Sequence, residues 1–376
     1  MSIALQVALV MVTILVVLLV IGAPIGVAIG MSSAVSMICM IPADVSFATS
    51  AQRIFAGSNS FSLIAIPFFI LAGNIMNNGG IATRLVNCAK VISGRMPGAL
   101  AQSNVVANML FGAISGSGAA AAAAMGGTIG PLEEKEGYDK NYSTAVNVAS
   151  APVGMLIPPS NTMIVYSSVA GSVSIAALFM AGYIPGLLWG GAVMILAGIM
   201  AKKRGYQAEQ RVPVKVALKT FWQAIPSLLL IVIVIGGILG GIFTATEGSA
   251  IAVVYATVLS LIYKAFKIKD IPRIVLEAAK TTGIITFMIG LSSIMSWLWH
   301  FTGIPDMIAN AILDLTTNKY LILLLINVLL LVVGTFMDVT PAILIFTPIY
   351  YQSVSHSEWI QFTLVSYSAS TYQLVQ

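Results

Sequence analysis

Charged side chains are scarce in this sequence. Asp, Glu, Lys and Arg make up only 8% of its 376 residues, whereas a soluble domain carries about 25%. So few charges cannot cover a surface that faces water, and 58% of the residues are hydrophobic. Uncharged runs at 3–22, at 225–243 and from 320 onward approach or reach the roughly 20 residues that cross a bilayer core. The composition therefore predicts an all-α polytopic membrane protein in a lipid bilayer.

Cysteine and histidine are also rare, with two of each. Cys39 and Cys88 form no disulfide framework and are expected to be small core residues. The net charge of +5 does not indicate nucleic-acid binding, because basic residues concentrate at 202–219 and at 264–273. Basic loops remain on the cytoplasmic side of a membrane, and the two apolar runs between these stretches would cross out and back.

The order of elements recurs at a shift of roughly 220 residues, which indicates an internal repeat. Each half contains an apolar run, a second apolar segment, an amphipathic segment and an interrupted stretch that ends in proline. The amphipathic segments, 81–96 and 304–315, are expected to lie along the membrane interface or to form ordinary loop helices. The predicted organisation is a first repeat at 1–201, a basic cytoplasmic linker at 202–219, an incomplete second repeat at 220–348 and an atypical tail at 349–376.

One interruption is the stretch FGAISGSGAAAAAAMGGTIGP at 111–131. It carries no charge, but glycine and serine at 115–118 break a helix and permit a tight turn. Such backbone is tolerated at membrane depth only where protein or a watery cavity surrounds it. We therefore expect a re-entrant hairpin with its tip at 115–118, where main-chain oxygens could hold a cation. A seam of small residues between packed helices is the alternative.

A second interruption lies at 151–166, where Pro158 and Pro159 cannot continue a helix. Two half-helices are expected around 158–161. The polar link between the interruptions, 133–143, is expected to be a solvated loop. Interrupted hydrophobic segments at matching positions of two repeats are typical of secondary transporters, whose binding site lies where the interruptions meet.

Five motifs follow one another along the chain: FGAISGSGAAAAAAMGG, EGYDKNYS, VGMLIPPSNTMIVYSSVAG, GGIFTATEGSAIAVVYA and GTFMDVTPAILIFTP. Taken together and in this order, over about residues 3–348, they resemble the large membrane subunit of the tripartite ATP-independent periplasmic (TRAP) transporters. The resemblance implies an inverted-repeat fold with two re-entrant helical hairpins and an elevator-like movement. It also implies sodium-driven import of small carboxylates across a bacterial inner membrane, with no cofactor other than Na⁺ as the coupling ion. The expected partners are a small membrane subunit and a periplasmic substrate-binding protein.

Residues are carried over from the family only where its motifs match. Those implied as ligands or site residues are Ser115, Gly116, Ser117 and Gly118 at the first tip, Gly154, Pro158, Pro159 and Ser160 at the broken helix, and Gly334, Asp338, Thr340 and Pro341 at the second hairpin. The Na⁺ ions are expected at Ser115, Gly116, Ser117, Gly154, Pro158 and Asp338. Asp338, an acid in an apolar region, is expected to bind an ion or to lie at the hairpin mouth. Asn104 is expected to face the first hairpin or to form an interhelical hydrogen bond.

The second half departs from the first after Pro348. All 33 glycines precede that point, and the tail has no apolar run long enough to cross a bilayer. The partner of the break at 158–161 is missing from the second half. We expect a C-terminally truncated chain whose tail, past about Tyr350, is an out-of-frame product, so that an inactive permease is one alternative.

Other function classes remain open alternatives. An intramembrane hydrolase would use Ser115 or Ser117 as a nucleophile with His300 or His356 as base, but no convincing acid–base pair accompanies them, and an enzyme is not expected. A passive channel, or a secondary carrier or ion exchanger of another family with the same hairpin architecture, is the closer competitor. Dependence of uptake on sodium and on a binding protein distinguishes them.

Overall fold

The computed structural model describes residues 3–170, 173–206, 213–304, 307, 318–334 and 339–354. Within them, every regular element is an α-helix or a short 3-10 turn. Five of these helices are long and apolar enough to cross a membrane: Ile3–Val20, Ile175–Lys203, Lys215–Leu239, Ala245–Ile262 and Ile268–Thr302. A bent pair, Lys140–Leu156 with Asn161–Ala170, passes the same test. The prediction of an all-α polytopic membrane protein is confirmed.

The helices fall into two compact units, and the chain passes from one to the other after residues 63, 164, 173 and 280. The first unit contains α1 (Ile3–Val20), α2 (Ile25–Met37), α3 (Ala43–Ser58), the end of α11 (Asn161–Ala170), most of α15 (Ile271–Thr302), α16 (Lys319–Gly334) and α17 (Val339–Val354). The second unit contains α4 (Ala65–Asn78), α5 (Ile81–Ser93), α6 (Ala99–Ser115), α7 (Gly118–Thr128), α8 (Gly130–Lys135), α9 (Lys140–Ser150), α10 (Val153–Leu156), the start of α11, α12 (Ile175–Lys203), α13 (Val214–Leu239), α14 (Ala245–Ile262) and the start of α15. These units differ from the predicted sequence repeats, which stay a prediction.

In the first unit, small residues let α2 pack closely on α15. A Cβ atom added to Gly26 would lie 2.8 Å from the Met288 side chain, and one on Gly30 would lie 2.5 Å from Leu291. The indole N–H of Trp299 donates to the sulfur of Met11 at 3.3 Å, which ties α15 to α1. Close approach at small residues replaces the hydrophobic driving force that water supplies to soluble helices.

In the second unit, α6 is central and packs against α4, α5, α9, α10 and α12. The amphipathic pattern predicted from residue 81 forms α5, which buries Ile81, Leu85 and Cys88, while Ile92 is exposed. The expectation of buried cysteines holds for Cys88 but not for Cys39, which is exposed. The second amphipathic segment lies almost wholly outside the described residues.

The polar link at 133–143 is not simply a solvated loop, which corrects the sequence interpretation. The Tyr138 ring stacks on Tyr206 with centroids 4.3 Å apart, and Arg204 forms an ion pair with Asp139 at 3.0 Å. The Tyr142 hydroxyl donates to the carbonyl of Ala197 at 2.8 Å. These contacts attach the link to the C-terminal end of α12, which carries the basic cluster at 202–204. The positive-inside rule predicts that this end lies on the cytoplasmic side.

Candidate functional site

The first predicted interruption is a break between two packed helices. Helix α6 ends at Ser115, and Gly116 has φ +63°, a left-handed conformation that suits glycine. Ser117 is extended, and its hydroxyl accepts the N–H of Ala120 at 3.3 Å, so it caps the start of α7. Only Gly116 and Ser117 therefore separate the end of α6 from the start of α7.

The second predicted interruption is also present. Helix α10 is only four residues long, and the chain is extended at Ile157 before a cis Pro158–Pro159 bond. Helix α11 begins at Asn161, bent by 49° from the preceding segment. Two half-helices around 158–161 are therefore confirmed.

The two interruptions meet in the second unit. A Cβ atom on Gly112 would lie 2.7 Å from the Cα atom of Gly154, so α6 and α10 touch through their backbones. A Cβ atom on Gly116 would lie 2.6 Å from the side-chain nitrogen of Asn161. The turn at the end of α6 thus faces the start of α11, and only a residue without a side chain fits there.

Two buried side-chain oxygens at the start of α11 have no hydrogen-bond partner. They are Oγ of Ser160, which is fully buried, and Oδ1 of Asn161, which is 9% exposed. Buried polar atoms normally have a partner, so each orphaned oxygen indicates a ligand or a functional constraint. Ser160 belongs to the predicted set. Asn161 does not, although an amide directly after Pro-Pro-Ser in an apolar stretch was a signal for it.

Other predicted residues lie elsewhere. Pro159 lines a small apolar cleft with Phe69 and Leu230, so its ring contributes to packing. Asn104 is buried and lies near the start of α6, about 16 Å along the helix axis from the turn. Its side-chain oxygen accepts a hydrogen bond from Asn108 at 2.9 Å. It lines a cavity beside α8 and α9, which places it away from the hairpin tip.

The second predicted hairpin is described only in part. Gly334 is buried at the end of α16, and Thr340 is half-buried at the start of α17. Pro341 lies in α17. Asp338 lies outside the described residues.

A family model for the DctM component of the tripartite ATP-independent periplasmic transporters matches residues 12–357. The chain belongs to this TRAP transporter family. A protein of Salmonella typhimurium described as uncharacterized, YgiK, is 50% identical over 86% of this chain and 75% of its own length. The isethionate TRAP transporter permease protein DctMQ of Oleidesulfovibrio alaskensis is 42% identical over 80% of this chain and 47% of its own length. The C4-dicarboxylate TRAP transporter large permease protein DctM of Rhodobacter capsulatus is 35% identical over 81% and 72%, respectively.

Membership of the TRAP family fixes the general role of the chain. It is a transporter permease and not an enzyme, and it is a multi-pass protein of the bacterial inner membrane. The prediction of the TRAP large membrane subunit, made from five motifs taken together and in order, is confirmed. The family match continues seven residues past Tyr350, up to residue 357.

The sequence interpretation also missed the burial of Glu133 in this TRAP chain. Glu133 of α8 is 1% exposed, although it stands in the link that was expected to be solvated. Burial raises the pKa of its carboxyl group, and the Ser143 hydroxyl and the Asn104 amide partly offset that rise. Nothing in the sequence indicates that Glu133 is buried, because it begins a run of four charged residues. The other three, at 134–136, are exposed.

Proposed function

We propose that this chain is the permease of a sodium-driven importer that takes small organic acids from a periplasmic binding protein. The observation that supports this most is the meeting of the two helix breaks, where Gly116 faces Asn161 beside two orphaned oxygens. In secondary transporters, interrupted helices supply the backbone groups and side chains that hold substrate and coupling ion.

The residues at this meeting point fit a hard monovalent cation such as Na⁺. Hard cations prefer oxygen ligands, and the orphaned atoms of Ser160 and Asn161 are oxygens that lie in protein rather than in water. The C-terminal end of α6 also directs its last carbonyl groups and its negative dipole end toward the turn. In this proposal Ser160, Asn161 and main-chain oxygens near Ser115 hold the ion. Gly154 contributes by letting α10 approach α6.

The contacts of α6 and α8 support a hairpin that enters and leaves on one side. A Cβ atom on Gly98, directly before α6, would lie 2.5 Å from Ala201 near the end of α12. The link after α8 is joined to the same end of α12 through Arg204. The 17 residues of α6 rise about 25 Å, most of the roughly 30 Å hydrocarbon core. We therefore place the turn at Gly116 deep in the membrane and both ends of the hairpin at the cytoplasmic side.

The polarity of the half-helices supports an anionic substrate. Helix α7 starts at Gly118 and α11 starts at Asn161, so two positive dipole ends and their free amide groups lie at the meeting point. The relatives named above are described as permeases for C4-dicarboxylates and for isethionate. Carboxylate and sulfonate groups share negative charge and several acceptor oxygens, and we propose a small carboxylate as the substrate.

The transport cycle would need the two partners that the family name implies. A small membrane subunit and a periplasmic binding protein would complete the transporter. In this proposal the binding protein delivers the carboxylate, and the sodium gradient drives its passage past Gly116.

Uptake of radiolabelled succinate into proteoliposomes tests this proposal. The vesicles contain this chain with its small membrane subunit, the binding protein is added outside, and isethionate serves as a second probe. Uptake is expected with an inward Na⁺ gradient and not with an equal K⁺ gradient. Ser160→Ala should raise the Na⁺ concentration for half-maximal uptake about tenfold, the effect of losing one polar contact to a charged group.

Ser227→Ala is the matched control. Ser227 lies in α13, is fully buried and also has a hydroxyl oxygen without a partner, but it is not at the meeting point. Its replacement should leave the Na⁺ dependence unchanged. Equal uptake in K⁺, or equal Na⁺ dependence in both serine variants, would contradict the sodium site.

A further inference from the structure

A cavity of about 350 Å³ lies between α6, the end of α7, α8 and α9, away from the turn at Gly116. Six of its polar lining residues are Asn104, Glu133, Tyr138, Ser143, Thr144 and Asn147. Glu133 is 1% exposed, and one of its carboxylate oxygens has no hydrogen-bond partner. Asn104 and Ser143 line the same cavity, and their side chains act on the carboxyl group of Glu133.

The buried carboxylate has no countercharge in the part of the chain that the structure describes. Within that part, the recorded ion pair joins Arg204 to Asp139, and Glu133 takes part in none. A buried ionised carboxylate is costly unless a cation or several donors compensate it. Burial accordingly favours the neutral form of Glu133. A proton neutralises such a carboxylate without the set of surrounding ligands that a metal ion requires.

The other ionisable groups around Glu133 do not supply the missing charge. Helices α6 and α7 contain no ionisable side chain. On the link and α9, the exposed Glu134 and Lys140 line the same cavity, and Tyr138 lines it with its ring stacked on Tyr206. The remaining nearby groups are the exposed Lys135 and Glu136, the Asp139–Arg204 pair, and Tyr142, whose hydroxyl binds Ala197.

A chain of asparagines leads from the cavity to the hairpin arm α7. The Nδ2 atom of Asn108 lies 2.9 Å from the side-chain oxygens of both Asn104 and Asn147. The Nδ2 atom of Asn147 donates to the carbonyl of Ala122 in α7 at 2.8 Å. A charged Glu133 attracts the amide group of Asn104 more strongly than a neutral Glu133 does. Any movement of Asn104 shifts its side-chain oxygen, which is an acceptor for Asn108.

We propose that Glu133 is a proton-binding site on the cytoplasmic side, and that the three asparagines transmit its charge state to the packing of α7. In the binding step a proton from water in the cavity forms an O–H bond at the carboxylate, which loses its negative charge. The reverse step returns the proton to that water. The site is separate from the sodium site proposed at Gly116, and either proposal can fail while the other holds.

Thermal unfolding of the full chain in detergent, measured from about pH 4 to pH 8, tests the proton site. Because the pKa of Glu133 is higher in the fold than in the unfolded chain, the folded state binds the proton more tightly. This contribution to stability is fully present below the ordinary glutamate pKa and is lost as pH rises through the raised value. Glu133→Gln is always neutral, so it should unfold at a higher temperature than the wild type at the alkaline end and should lose this part of the pH dependence.

Glu136→Gln is the matched control. It makes the same change of charge three positions away, but Glu136 is exposed and does not line the cavity. Its pH profile should follow the wild type. A profile of Glu133→Gln that coincides with those of the wild type and Glu136→Gln would overturn the proton site.

Infrared spectroscopy keeps the proposal testable if Glu133→Gln does not fold. The wild type should show a carboxylic-acid band that disappears with a midpoint above the ordinary glutamate pKa of about 4.3. Glu133→Asp should shift the frequency of this band. If no carboxylic-acid band titrates above that value, Glu133 does not hold a proton in the fold.

Hydrogen–deuterium exchange at one alkaline pH tests the coupling to the hairpin. Comparison at a single pH keeps the intrinsic exchange rate the same in all proteins. Amides of α7 should exchange more slowly in Glu133→Gln than in the wild type and in Glu136→Gln, because only the first lacks the buried charge. Equal exchange across α7 in the three proteins would refute the asparagine connection.

Discussion

At the scale of single residues, the glycines of the hairpin perform two different tasks. Gly112 and Gly154 remove side chains where two backbones touch, and a Cβ atom on Gly112 would lie 2.7 Å from the Cα atom of Gly154. Gly116 instead supplies a left-handed backbone, and it also leaves space for the side chain of Asn161. The first task concerns packing and the second concerns the direction of the chain at the candidate site.

The substitution Gly116→Ala is expected to abolish uptake while the protein still inserts into the membrane. Its left-handed conformation costs a side chain about 1–2 kcal/mol, and the new methyl group would lie 2.6 Å from the amide nitrogen of Asn161. The helix α7 offers a control in Gly127, where an added Cβ atom meets no atom within 4 Å. Gly127→Ala should retain uptake and stabilise the helix by about 0.5–1 kcal/mol. Membrane fractionation and succinate uptake measure the two properties, and normal uptake by Gly116→Ala would remove this turn from the transport site.

At the scale of elements, local chemistry was enough to predict the helix breaks. Gly116 and the Pro158–Pro159 pair act on their own backbone, through a left-handed φ in one case and missing donors in the other. The same local logic predicted α5, because its apolar positions recur at helical spacing. These features needed no knowledge of neighbouring helices.

The surroundings of Glu133 could not be predicted in that way. Its burial results from the packing of α8 against α6 and α9 and from the attachment of Tyr138 and Asp139 to the end of α12. These are contacts between residues far apart in sequence, and a run of charged residues gives no local sign of them. For the same reason the sequence left two roles open for Asn104, facing the first hairpin or forming an interhelical hydrogen bond. Its position along α6 was known, but the elements that face it were not.

Asn147 is the residue that joins the hairpin arm α7 to α9, so Asn147→Leu should loosen that arm. The substitution removes the hydrogen bond from Asn147 to the carbonyl of Ala122, and a typical hydrogen bond contributes about 0.5–1.5 kcal/mol. Hydrogen–deuterium exchange should accelerate in α7 and remain unchanged in α14. Asn141→Leu is the control, since Asn141 lies on the same helix but is exposed. Equal exchange of α7 in both variants would show that this hydrogen bond does not hold the arm.

At the scale of the whole molecule, the distribution of charge and the contacts of α12 agree on one orientation. The basic residues after α12 are predicted to lie on the cytoplasmic side. The link at 133–143 is attached there through Arg204, and Gly98 lies against Ala201. Helix α13 starts from the basic linker and ends at Leu239, so the turn that follows lies on the opposite side.

This orientation can be measured with single cysteines introduced after the native Cys39 and Cys88 are replaced by serine and alanine. A membrane-impermeant thiol reagent then reports which side of a sealed vesicle each position faces. The positions must be exposed and outside the helices that cross the bilayer. Four positions satisfy this condition or lie at a helix end: Arg95, Glu136, Lys203 and Ile242.

The labelling pattern of these four positions distinguishes a hairpin from a crossing. If α6 and α7 enter and leave together, Arg95→Cys and Glu136→Cys react from the same side as Lys203→Cys, because all three belong to the cytoplasmic end. Ile242→Cys, which is 78% exposed in the turn after α13, should react only from the other side. Had α6 and α7 formed one broken crossing, Arg95→Cys and Glu136→Cys would react from opposite sides. In that case the turn at Gly116 could not return the chain to its own side, and a binding site built on a re-entrant tip would have no physical basis.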